Sequence, residues 1–459
     1  MQKTVVLDVV GLSKSLIGPD MPFLSAWSAA RSVQTIDPML PAVTTAVQST
    51  YLTGAWPSAH GIVGNGWYDR VDCEVKFWKQ SNKLVGHEKV WEWAKRQDSS
   101  FTCANMFWWY NMYSTADYSV TPRPNYLADG RKMPDCYSYP ADLRDYLQKE
   151  LGVFPLFQFW GPGANIVSSK WIADASVLTD KKYDPTLTLI YLPHLDYCLQ
   201  KFGPDLNLVR NDLREIDDII GQLVTYYESR GARVIVLSEY GITAVNNPVH
   251  INRALRERGF LNVRVERGLE LLDAGASSAF AVADHQIAHV YLNDMSIAEE
   301  VRHLLQQLKG VESVLDKDAQ REANIDHQRS GDFVVMADGN SWFTYYFWLD
   351  DALAPDYART VDIHKKPGYD PVEMFMSSKA RAGYKLLRKK LALRYVMDVI
   401  PLDATLIKGS HGRVGTPSEM HPVLISDLAS DKSRLAAVDV FGIICQALTA
   451  DQRTPAQGV

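Results

Sequence analysis

The sequence has few cysteines and no pattern that would pair them. Its 459 residues include five, which are Cys73, Cys103, Cys136, Cys198 and Cys445, with no CxxC or CxxH spacing. An odd number of scattered cysteines signals neither a disulfide framework nor a zinc finger. We therefore expect a reducing compartment.

Long apolar runs and an excess of positive charge are also missing. No stretch approaches the roughly 18 uncharged apolar residues of a membrane span, and Asp8 interrupts the apolar start too early for a secretory signal. The 48 Lys and Arg against 54 Asp and Glu give a net charge of −6, which excludes the basic surface of a non-specific nucleic-acid binder. The sequence predicts a soluble, cytoplasmic protein without a membrane span or nucleic-acid polymer as partner, and leaves the oligomeric state open.

The overall composition is typical of a folded globular protein. Hydrophobic residues make up 46% and charged residues 22%, so a sizeable core can be buried. Aromatic residues reach 11%, with 12 Trp and 22 Tyr, which favours large buried clusters or a lined cleft.

Three short aliphatic runs predict central parallel strands that are buried on both faces. They are Thr4–Val10, Leu187–Leu192 and Arg233–Leu237. Each carries or precedes an acidic residue: Asp8, Asp196 and Glu239. Acidic residues often cap helices or turns, but in open α/β sheets the carboxyl ends of the strands share one ligand crevice. We therefore expect these three side chains to converge.

The rest of the chain predicts an α/β core with additions. Leu206–Ser229 has apolar residues at helical spacing and leads into the third strand. Residues 95–180 are rich in Trp, Tyr and Pro and are interpreted as an insertion over the cleft. Predicted strands Ala288–Leu292, Phe333–Met336 and Trp342–Trp348, with a helix at Ile297–Leu308, indicate a smaller α+β subdomain. The predicted division is a core over 1–277, the subdomain over 278–350, and a return to the core with a tail over 351–459.

The stretch from Leu40 to Asn65 holds the most specific pattern in the chain. A proline and a loop precede Thr44 and Thr45, which open a helical run. A hydroxyl at a helix start lies where backbone N–H groups and the helix dipole favour an anion. Such a threonine can act as a nucleophile, although an isolated threonine there is more often only an N-cap.

This stretch resembles a known nucleophile region. Pro41-x-x-Thr44 with Gly54, then Pro57-x-x-His60-Gly61 with Asn65, is similar to the nucleotide pyrophosphatase/phosphodiesterase branch of the alkaline phosphatase superfamily. The resemblance implies a three-layer α/β sandwich with a mostly parallel central sheet flanked by helices. It also implies that Thr44 is the nucleophile, with Thr45 as the fallback and a substrate contact, and that Asn65 contacts a phosphoryl oxygen.

The resemblance further implies a metal centre, with changes in its ligands. Asp8, Asp196 and His411 match ligand positions, and Glu239 is a longer carboxylate at a fourth. Gln200 and Tyr240 stand where the family has histidines, and they remain candidate ligands. Losing two imidazoles shifts the donor set toward oxygen, so we expect one or two divalent ions, with Mn or Mg as alternatives to Zn.

Other side chains could compensate for the missing histidines. His364 follows Asp362 in a short extended run and is a further candidate ligand, ahead of His194, His285 and His289. Lys365, beside Lys366, is a candidate for binding an anionic substrate, although a solvated charged loop is the commoner explanation for such a pair.

The sequence leaves more than one function open. The first hypothesis is a metal-dependent phosphoester hydrolase of the phosphodiesterase/nucleotide pyrophosphatase type that acts on a small phosphorylated substrate through a threonine nucleophile. The alternative is a catalytically degenerate relative that binds a phosphorylated metabolite or a protein partner, motivated by Gln200, Glu239 and Tyr240. A phosphoryl-moving mutase or transferase is a third option.

Overall fold

The computed structural model describes residues 1–391, 393–429 and 432–450. The α-helices are α1 (Pro22–Ser28), α2 (Thr44–Thr53), α3 (Pro57–His60), α4 (Val90–Gln97), α5 (Ala141–Leu151), α6 (Leu156–Phe159), α7 (Ile166–Tyr183), α8 (His194–Phe202), α9 (Leu206–Ser229), α10 (Ile251–Glu257), α11 (Ala298–Gln307), α12 (Lys317–Glu322), α13 (Lys379–Lys390) and α14 (Asp439–Thr449).

The strands of the two larger sheets are β1 (Thr4–Val9), β2 (Ser32–Ile36), β3 (Cys103–Met106), β4 (Tyr118–Pro122), β5 (Cys136–Tyr139), β6 (Leu187–Leu192), β7 (Arg233–Leu237), β8 (Ala279–Asp284), β9 (Ile287–Leu292), β10 (Val311–Leu315), β11 (Phe333–Ala337), β12 (Val423–Ser426) and β13 (Arg434–Leu435). Shorter strand pairs join loops: Gly66–Asp69 with Glu74–Phe77, Asn125–Tyr126 with Lys132–Met133, Thr243–Ala244 with Gly409–Ser410, Asn247–Val249 with Ser341–Phe343, and Val263–Glu266 with Leu269–Leu272.

A nine-stranded sheet forms the centre of the α/β sandwich, in the order β13-β2-β12-β7-β1-β6-β3-β4-β5. The five strands from β7 to β4 in that order run parallel, while β12 and β5 are antiparallel to their neighbours. The strands β1, β6 and β7 are buried along their whole length. Their continuous aliphatic sequences are explained by helices that cover both faces of the sheet.

The predicted central elements are confirmed. All three predicted strands are present and adjacent, since β1 lies between β6 and β7. Helix α9 has the predicted bounds, and its apolar face packs against β7, α7 and α8. Strands β9 and β11 and helix α11 likewise occupy the positions predicted for the second unit.

Two sequence-based interpretations need correction. Residues 95–180 are not simply an insertion over the cleft, because they supply β3, β4 and β5 of the central sheet and helix α7, which packs on β6. These strands have only four or five residues between aromatic loops, so no periodicity reveals them. The run predicted as a strand over Trp342–Trp348 is a strand only at Ser341–Phe343. Its remaining aromatic side chains are buried, and a fully buried apolar run does not distinguish a strand from a buried loop.

A four-stranded antiparallel sheet, in the order β8-β9-β11-β10, accompanies the central one. Asp284 ends β8, and His285 and Gln286 form the turn to β9; the backbone N–H of Gln286 donates to the carbonyl of His411 at 2.9 Å. This turn therefore reaches the end of the central sheet where the acidic residues lie. The domain boundaries proposed from the sequence stay a prediction. In the described ranges, no helix has the length and apolar character needed to cross a bilayer.

Candidate active site

The three strand-end acidic residues converge as predicted. Asp8 lies within β1, Asp196 lies in the first turn of α8 after β6, and Glu239 follows β7 by two residues. All three side chains are buried. Parallel neighbouring strands bring their carboxyl ends to one edge of the sheet, which is why residues far apart in sequence meet here.

Thr44 is the first residue of α2 and faces this acidic edge. Its side-chain oxygen lies 2.9 Å from the Tyr240 hydroxyl, and the residue is 4% exposed. The neighbouring Thr45 hydroxyl instead donates to the carbonyl of Gly64 at 2.8 Å, and its backbone N–H donates to Asn65 Oδ1 at 3.1 Å. The contacts of the two hydroxyls therefore favour Thr44 over Thr45 as the reactive group.

Gln48 is a site residue that the sequence reasoning missed. Its Nε2 donates to Asp8 Oδ2 at 3.2 Å and to Glu239 Oε1 at 2.6 Å. Its Oε1 accepts the backbone N–H of Trp109 at 2.7 Å, which explains why the amide turns its NH₂ group toward the carboxylates. The available signal was spacing, because Gln48 lies four residues after Thr44 on the same face of α2.

Gln200 and Tyr240 both contact Asp196. Gln200 Nε2 donates to Asp196 Oδ2 at 2.8 Å, and its Oε1 accepts the Tyr369 hydroxyl at 3.1 Å. The Tyr240 hydroxyl donates to Asp196 Oδ1 at 3.3 Å. A hydrogen-bonded chain thus runs from Thr44 through Tyr240 to Asp196. Burial raises the pKa of Tyr240 well above its usual range, so this side chain stays a neutral phenol.

His411, from the C-terminal part of the chain, lies beside Tyr240 and Asp196. Its ring stacks on Tyr240, with centroids 3.5 Å apart, and its Nε2 lies 3.7 Å from Asp196 Oδ1. Its Nδ1 is 2.7 Å from the carbonyl of Ala42, which can only accept, so Nδ1 carries the proton. Burial holds the pKa of His411 well below its usual value, which leaves Nε2 as an unprotonated nitrogen facing the acids.

A close backbone approach fixes the His411 loop. A side chain at Gly409 would place its Cβ 2.1 Å from the carbonyl oxygen of Leu199 in α8. Only glycine permits this contact between the loop and the helix that carries Asp196 and Gln200. The glycine therefore helps to set the distance between His411 and Asp196.

The three carboxylates lack a cationic partner among the described lysines and arginines. Burial, with the neighbouring charge of Glu239, raises the pKa of Asp8 well above its usual range and that of Asp196 to about 7. Burial raises the pKa of Glu239 to about 7, although hydrogen bonds with Asp8, Gln48 and Thr44 oppose the rise. Buried like charges are unfavourable unless a proton or a cation compensates them.

The donor set fits a divalent cation at one position. Gln48 holds one oxygen of Asp8 and one of Glu239, and the other two, Asp8 Oδ1 and Glu239 Oε2, are buried without a hydrogen-bond partner in the described structure. With the Thr44 hydroxyl they make an oxygen set of the kind that Mg²⁺ or Mn²⁺ prefers. A second position is poorer, because Gln200 turns its NH₂ group toward Asp196 and so repels a cation there.

Asn65 lies beside the start of α2 rather than among the acids. Its Nδ2 donates to Asp284 Oδ1 at 3.1 Å, and its Oδ1 accepts from Thr45. Asp284 in turn contacts His285 Nδ1 at 2.8 Å, and the His285 ring lies 3.8 Å from that of His411. One N–H of Asn65 is left over for an anion, so its predicted substrate contact stays a prediction.

His364 and Lys365 have contacts elsewhere. His364 Nδ1 lies 3.4 Å from the carbonyl of Phe77, and Lys365 is 68% exposed and pairs with Asp362 at 3.3 Å. No described contact joins either residue to Thr44 or to the three carboxylates. The adjacent Lys366 is fully buried between Asp370 and Glu373, at 2.7 Å from each. The ligand role of His364 and the anion contact of Lys365 gain no support from these contacts.

Comparisons with known proteins match the whole architecture. Murine ectonucleotide pyrophosphatase/phosphodiesterase 5 superimposes with a TM-score of 0.58 at 15% identity, covering 100% of this chain and 98% of that one. The same murine protein has been solved as an inactive threonine-to-alanine variant in complex with AMP. Phosphonoacetate hydrolase from Sinorhizobium meliloti 1021, in complex with phosphonoformate, superimposes with a TM-score of 0.61 at 16% identity, covering 98% and 96%. These likenesses confirm the predicted fold.

Comparisons of the sequence match a distant relative over part of the chain and a family model over most of it. An uncharacterized pyrophosphatase/phosphodiesterase of Schizosaccharomyces pombe is 26% identical over 220 residues, which cover 46% of this chain and only 38% of that protein. The model of the type I phosphodiesterase/nucleotide pyrophosphatase family matches residues 4–370, which include every strand-end acidic residue, Thr44 and Tyr240. The resemblance recognised in the nucleophile region is thereby confirmed, and the chain belongs to the type I phosphodiesterase/nucleotide pyrophosphatase family.

Proposed function

We propose that this protein is a phosphoester hydrolase of the phosphodiesterase type that uses Thr44 as its nucleophile and depends on a divalent cation. The observation that carries the proposal is the position of the Thr44 hydroxyl, at the N-terminus of α2 and 2.9 Å from the Tyr240 hydroxyl that contacts Asp196. The inactive threonine-to-alanine variant of the murine structural relative supports the choice of a threonine.

In the proposed reaction, Thr44 Oγ1 forms a bond to phosphorus while the bond between phosphorus and the leaving oxygen breaks. The Thr44 proton passes to Tyr240, and Tyr240 passes its own proton to Asp196 Oδ1, so the phenol is neutral before and after the step. The product is a phosphothreonyl intermediate. Water then attacks phosphorus from the opposite side, and the bond between phosphorus and Thr44 Oγ1 breaks. The proton held by Asp196 returns through Tyr240 to Thr44 Oγ1, and the attacking water releases one proton to solvent as the phosphate product forms.

The helix start and Asn65 orient the phosphoryl group. The N-terminus of α2 carries partial positive charge, which favours the phosphoryl oxygens, and Asn65 offers its remaining N–H beside it. Asp8, Glu239 and Thr44 would hold the cation, with Gln48 fixing the two carboxylates. When bound, such a cation supplies Lewis-acid stabilisation of charge on the oxygens at phosphorus.

Partly exposed aromatic rings around the site favour a leaving group that is itself flat and apolar. The rings of Trp78 and Trp109 lie 4.7 Å apart, and Trp78 and Trp160 both contact Tyr369. Trp109 Nε1 is buried with no hydrogen-bond partner among the described residues, so it remains available as a donor. We therefore propose an aryl or nucleobase-bearing phosphodiester as the substrate class.

Hydrolysis assays with controlled metal content test this proposal. Protein treated with a chelator is expected to be inactive toward bis(p-nitrophenyl) phosphate, because three buried carboxylates then face the phosphate without a counter-charge. Adding Mg²⁺ or Mn²⁺ is expected to restore turnover, and an aryl phosphomonoester tests the preference for diesters. Full activity in the chelated protein would contradict the cation dependence.

Replacing Tyr240 with phenylalanine tests the proton path. Phenylalanine keeps the stack on His411 but removes the hydroxyl between Thr44 and Asp196, so we expect kcat to fall by about 10²-fold, the usual contribution of a general base. The control is Tyr384→Phe, whose side chain is exposed on α13. An unchanged kcat in Tyr240→Phe would remove Tyr240 from the mechanism.

A binding protein without turnover is the second candidate function. Gln200 and Tyr240, which contact Asp196 as uncharged side chains, favour it because they replace two imidazoles. Calorimetric titration with AMP distinguishes the candidates. The binding function would be established, and the hydrolase overturned, by AMP binding together with no hydrolysis of bis(p-nitrophenyl) phosphate when Mg²⁺, Mn²⁺ and Zn²⁺ are each supplied in turn.

A further inference from the structure

A second group of possible metal ligands lies between α8 and α9. It consists of His194, Asp212 and Glu215, here called the α8–α9 cluster. Within the described ranges it is the single set of three His, Cys, Asp or Glu side chains whose ligand atoms all lie within 4.8 Å of one another. His194 is the first residue of α8, and the two acidic residues are three positions apart on one face of α9.

His194 is buried and aimed into this cluster without a hydrogen bond. The residue is 3% exposed, and neither of its ring nitrogens has a hydrogen-bond partner in the described structure. Its Nε2 nevertheless lies 3.1 Å from Asp212 Oδ1 and 3.6 Å from Glu215 Oε2. A buried imidazole nitrogen normally has a hydrogen-bond partner. The absence of one at His194 Nε2 in the described structure indicates a ligand or an ion at this position.

The two separations between the imidazole nitrogen and the carboxylate oxygens lie close to the edges of a coordination shell. A cation at roughly 2.0–2.2 Å from each ligand holds neighbouring ligand atoms about 3.0–3.5 Å apart. The measured separations of 3.1 and 3.6 Å lie close to that range. One imidazole and two carboxylates are also a ligand combination that zinc and similar transition metals accept.

The net charge of the α8–α9 cluster and its exposure to solvent also suit a bound cation. The side chains of Asp212 and Glu215 are 26% and 51% exposed, so water can reach the site and complete the coordination. The neighbouring arginines of α9 pair elsewhere, since Arg210 and Arg214 contact Asp20 at 3.4 and 2.8 Å. Two carboxylates beside an imidazole thus carry negative charge that these arginines do not neutralise. Lys201 of α8 is a nearby cation; burial lowers its pKa, and the charge of Asp212 opposes this shift.

We propose that the α8–α9 cluster binds a divalent transition-metal ion, separate from the cation proposed for hydrolysis. The ion links the start of α8 to the second and third turns of α9. Helix α8 also carries Asp196 two residues after His194, so the ion restrains the helix that positions this carboxylate. The competing explanation is an ion pair between a protonated His194 and the two acids, which needs no metal.

Stoichiometry in the full-length chain tests the site. The background variant Asp8→Asn removes a ligand of the hydrolytic cation, so that the α8–α9 cluster can be observed by itself. We expect this protein, stripped with a chelator, to bind one equivalent of Co²⁺ and to develop the visible absorption of a nitrogen- and oxygen-ligated ion. Asp212→Asn with Glu215→Gln in the same background is expected to lose that equivalent and that absorption.

The control is Asp218→Asn, which changes an exposed carboxylate on the same helix outside the cluster and is expected to retain the equivalent. Circular dichroism confirms that each variant is folded, and anomalous scattering from a Zn²⁺-soaked crystal of the unsubstituted chain gives a second readout. An equal Co²⁺ stoichiometry with and without Asp212 and Glu215, or no anomalous peak between α8 and α9, would establish the ion pair alone and overturn the proposal. Hydrolysis is not measured, so either result leaves the proposed function to its own tests.

Discussion

Thr44→Ala is expected to lower kcat for bis(p-nitrophenyl) phosphate by at least about 10³-fold, because the attacking oxygen is removed and no neighbouring hydroxyl takes its place. Thr45, the adjacent candidate, donates its hydroxyl to the carbonyl of Gly64. The fold should persist, since the Thr44 side chain contributes only its hydroxyl contacts with Tyr240 and Glu239 among the described residues of the site. The measurement is steady-state hydrolysis with Mg²⁺ or Mn²⁺ at saturating substrate.

Two variants of the same helix complete this experiment. Thr44→Ser retains an oxygen at the same position and is expected to restore a measurable part of the activity. Thr53→Ala removes a buried hydroxyl that bonds to the backbone of Ser49, and it is expected to leave kcat near that of the unsubstituted protein. If Thr44→Ala hydrolyses the diester at the normal rate, the threonine nucleophile is wrong.

Without the cation, the protein is expected to become less stable as the pH rises from 5.5 to 8. In the metal-free protein burial raises the pKa of Glu239 from 4.5 and of Asp196 from 3.8, each to about 7. A carboxyl whose pKa is higher in the folded state contributes stability below its unfolded pKa and loses it as pH rises through its folded pKa. For Glu239 the difference corresponds to roughly 3 kcal/mol, so the chelated protein should melt at a lower temperature at pH 8 than at pH 5.5.

The effect of the cation on the melting temperature can be distinguished from that of the Glu239 charge by substitution. Adding Mg²⁺ or Mn²⁺ is expected to raise the melting temperature more at pH 8 than at pH 5.5, because the ion binds the ionised carboxylates. Glu239→Gln keeps a similar shape without the charge and should weaken both the pH dependence and the effect of the ion. Thermal unfolding by circular dichroism measures all four conditions. A chelated protein that is more stable at pH 8 than at pH 5.5 would contradict this account of the site.

The carboxylates of the site were accessible to sequence reasoning because their positions follow from a general property of parallel sheets. Asp8 lies near the carboxyl end of an aliphatic strand, and Asp196 and Glu239 each follow one. Strands of one direction bring these ends together wherever the chain goes between them. Thr44 was accessible to sequence reasoning because a proline and a loop followed by a hydroxyl residue predict the start of a helix.

Gln48 and Tyr369 were not found because nothing local distinguishes them from other polar or aromatic residues. Gln48 matters only because the backbone of Trp109, 61 residues away, turns its amide toward the acids. Tyr369 matters because it orients Gln200, 169 residues away. The strands β3, β4 and β5 were not predicted from the sequence for a related reason. Their short segments take their conformation from the neighbouring strands and show no periodicity of their own.

The sequence by itself determined which residue types are available for the chemistry: a threonine at a helix start, three acids at strand ends, and a glutamine and a tyrosine in place of two histidines. The tertiary structure decided how those groups are paired. It turned the amides of Gln48 and Gln200 toward the carboxylates, left the oxygens Asp8 Oδ1 and Glu239 Oε2 without partners, and set Tyr240 between Thr44 and Asp196. The physical reason is that hydrogen bonds and buried charges depend on distances of a few ångströms between segments far apart in the chain, and only packing fixes those distances.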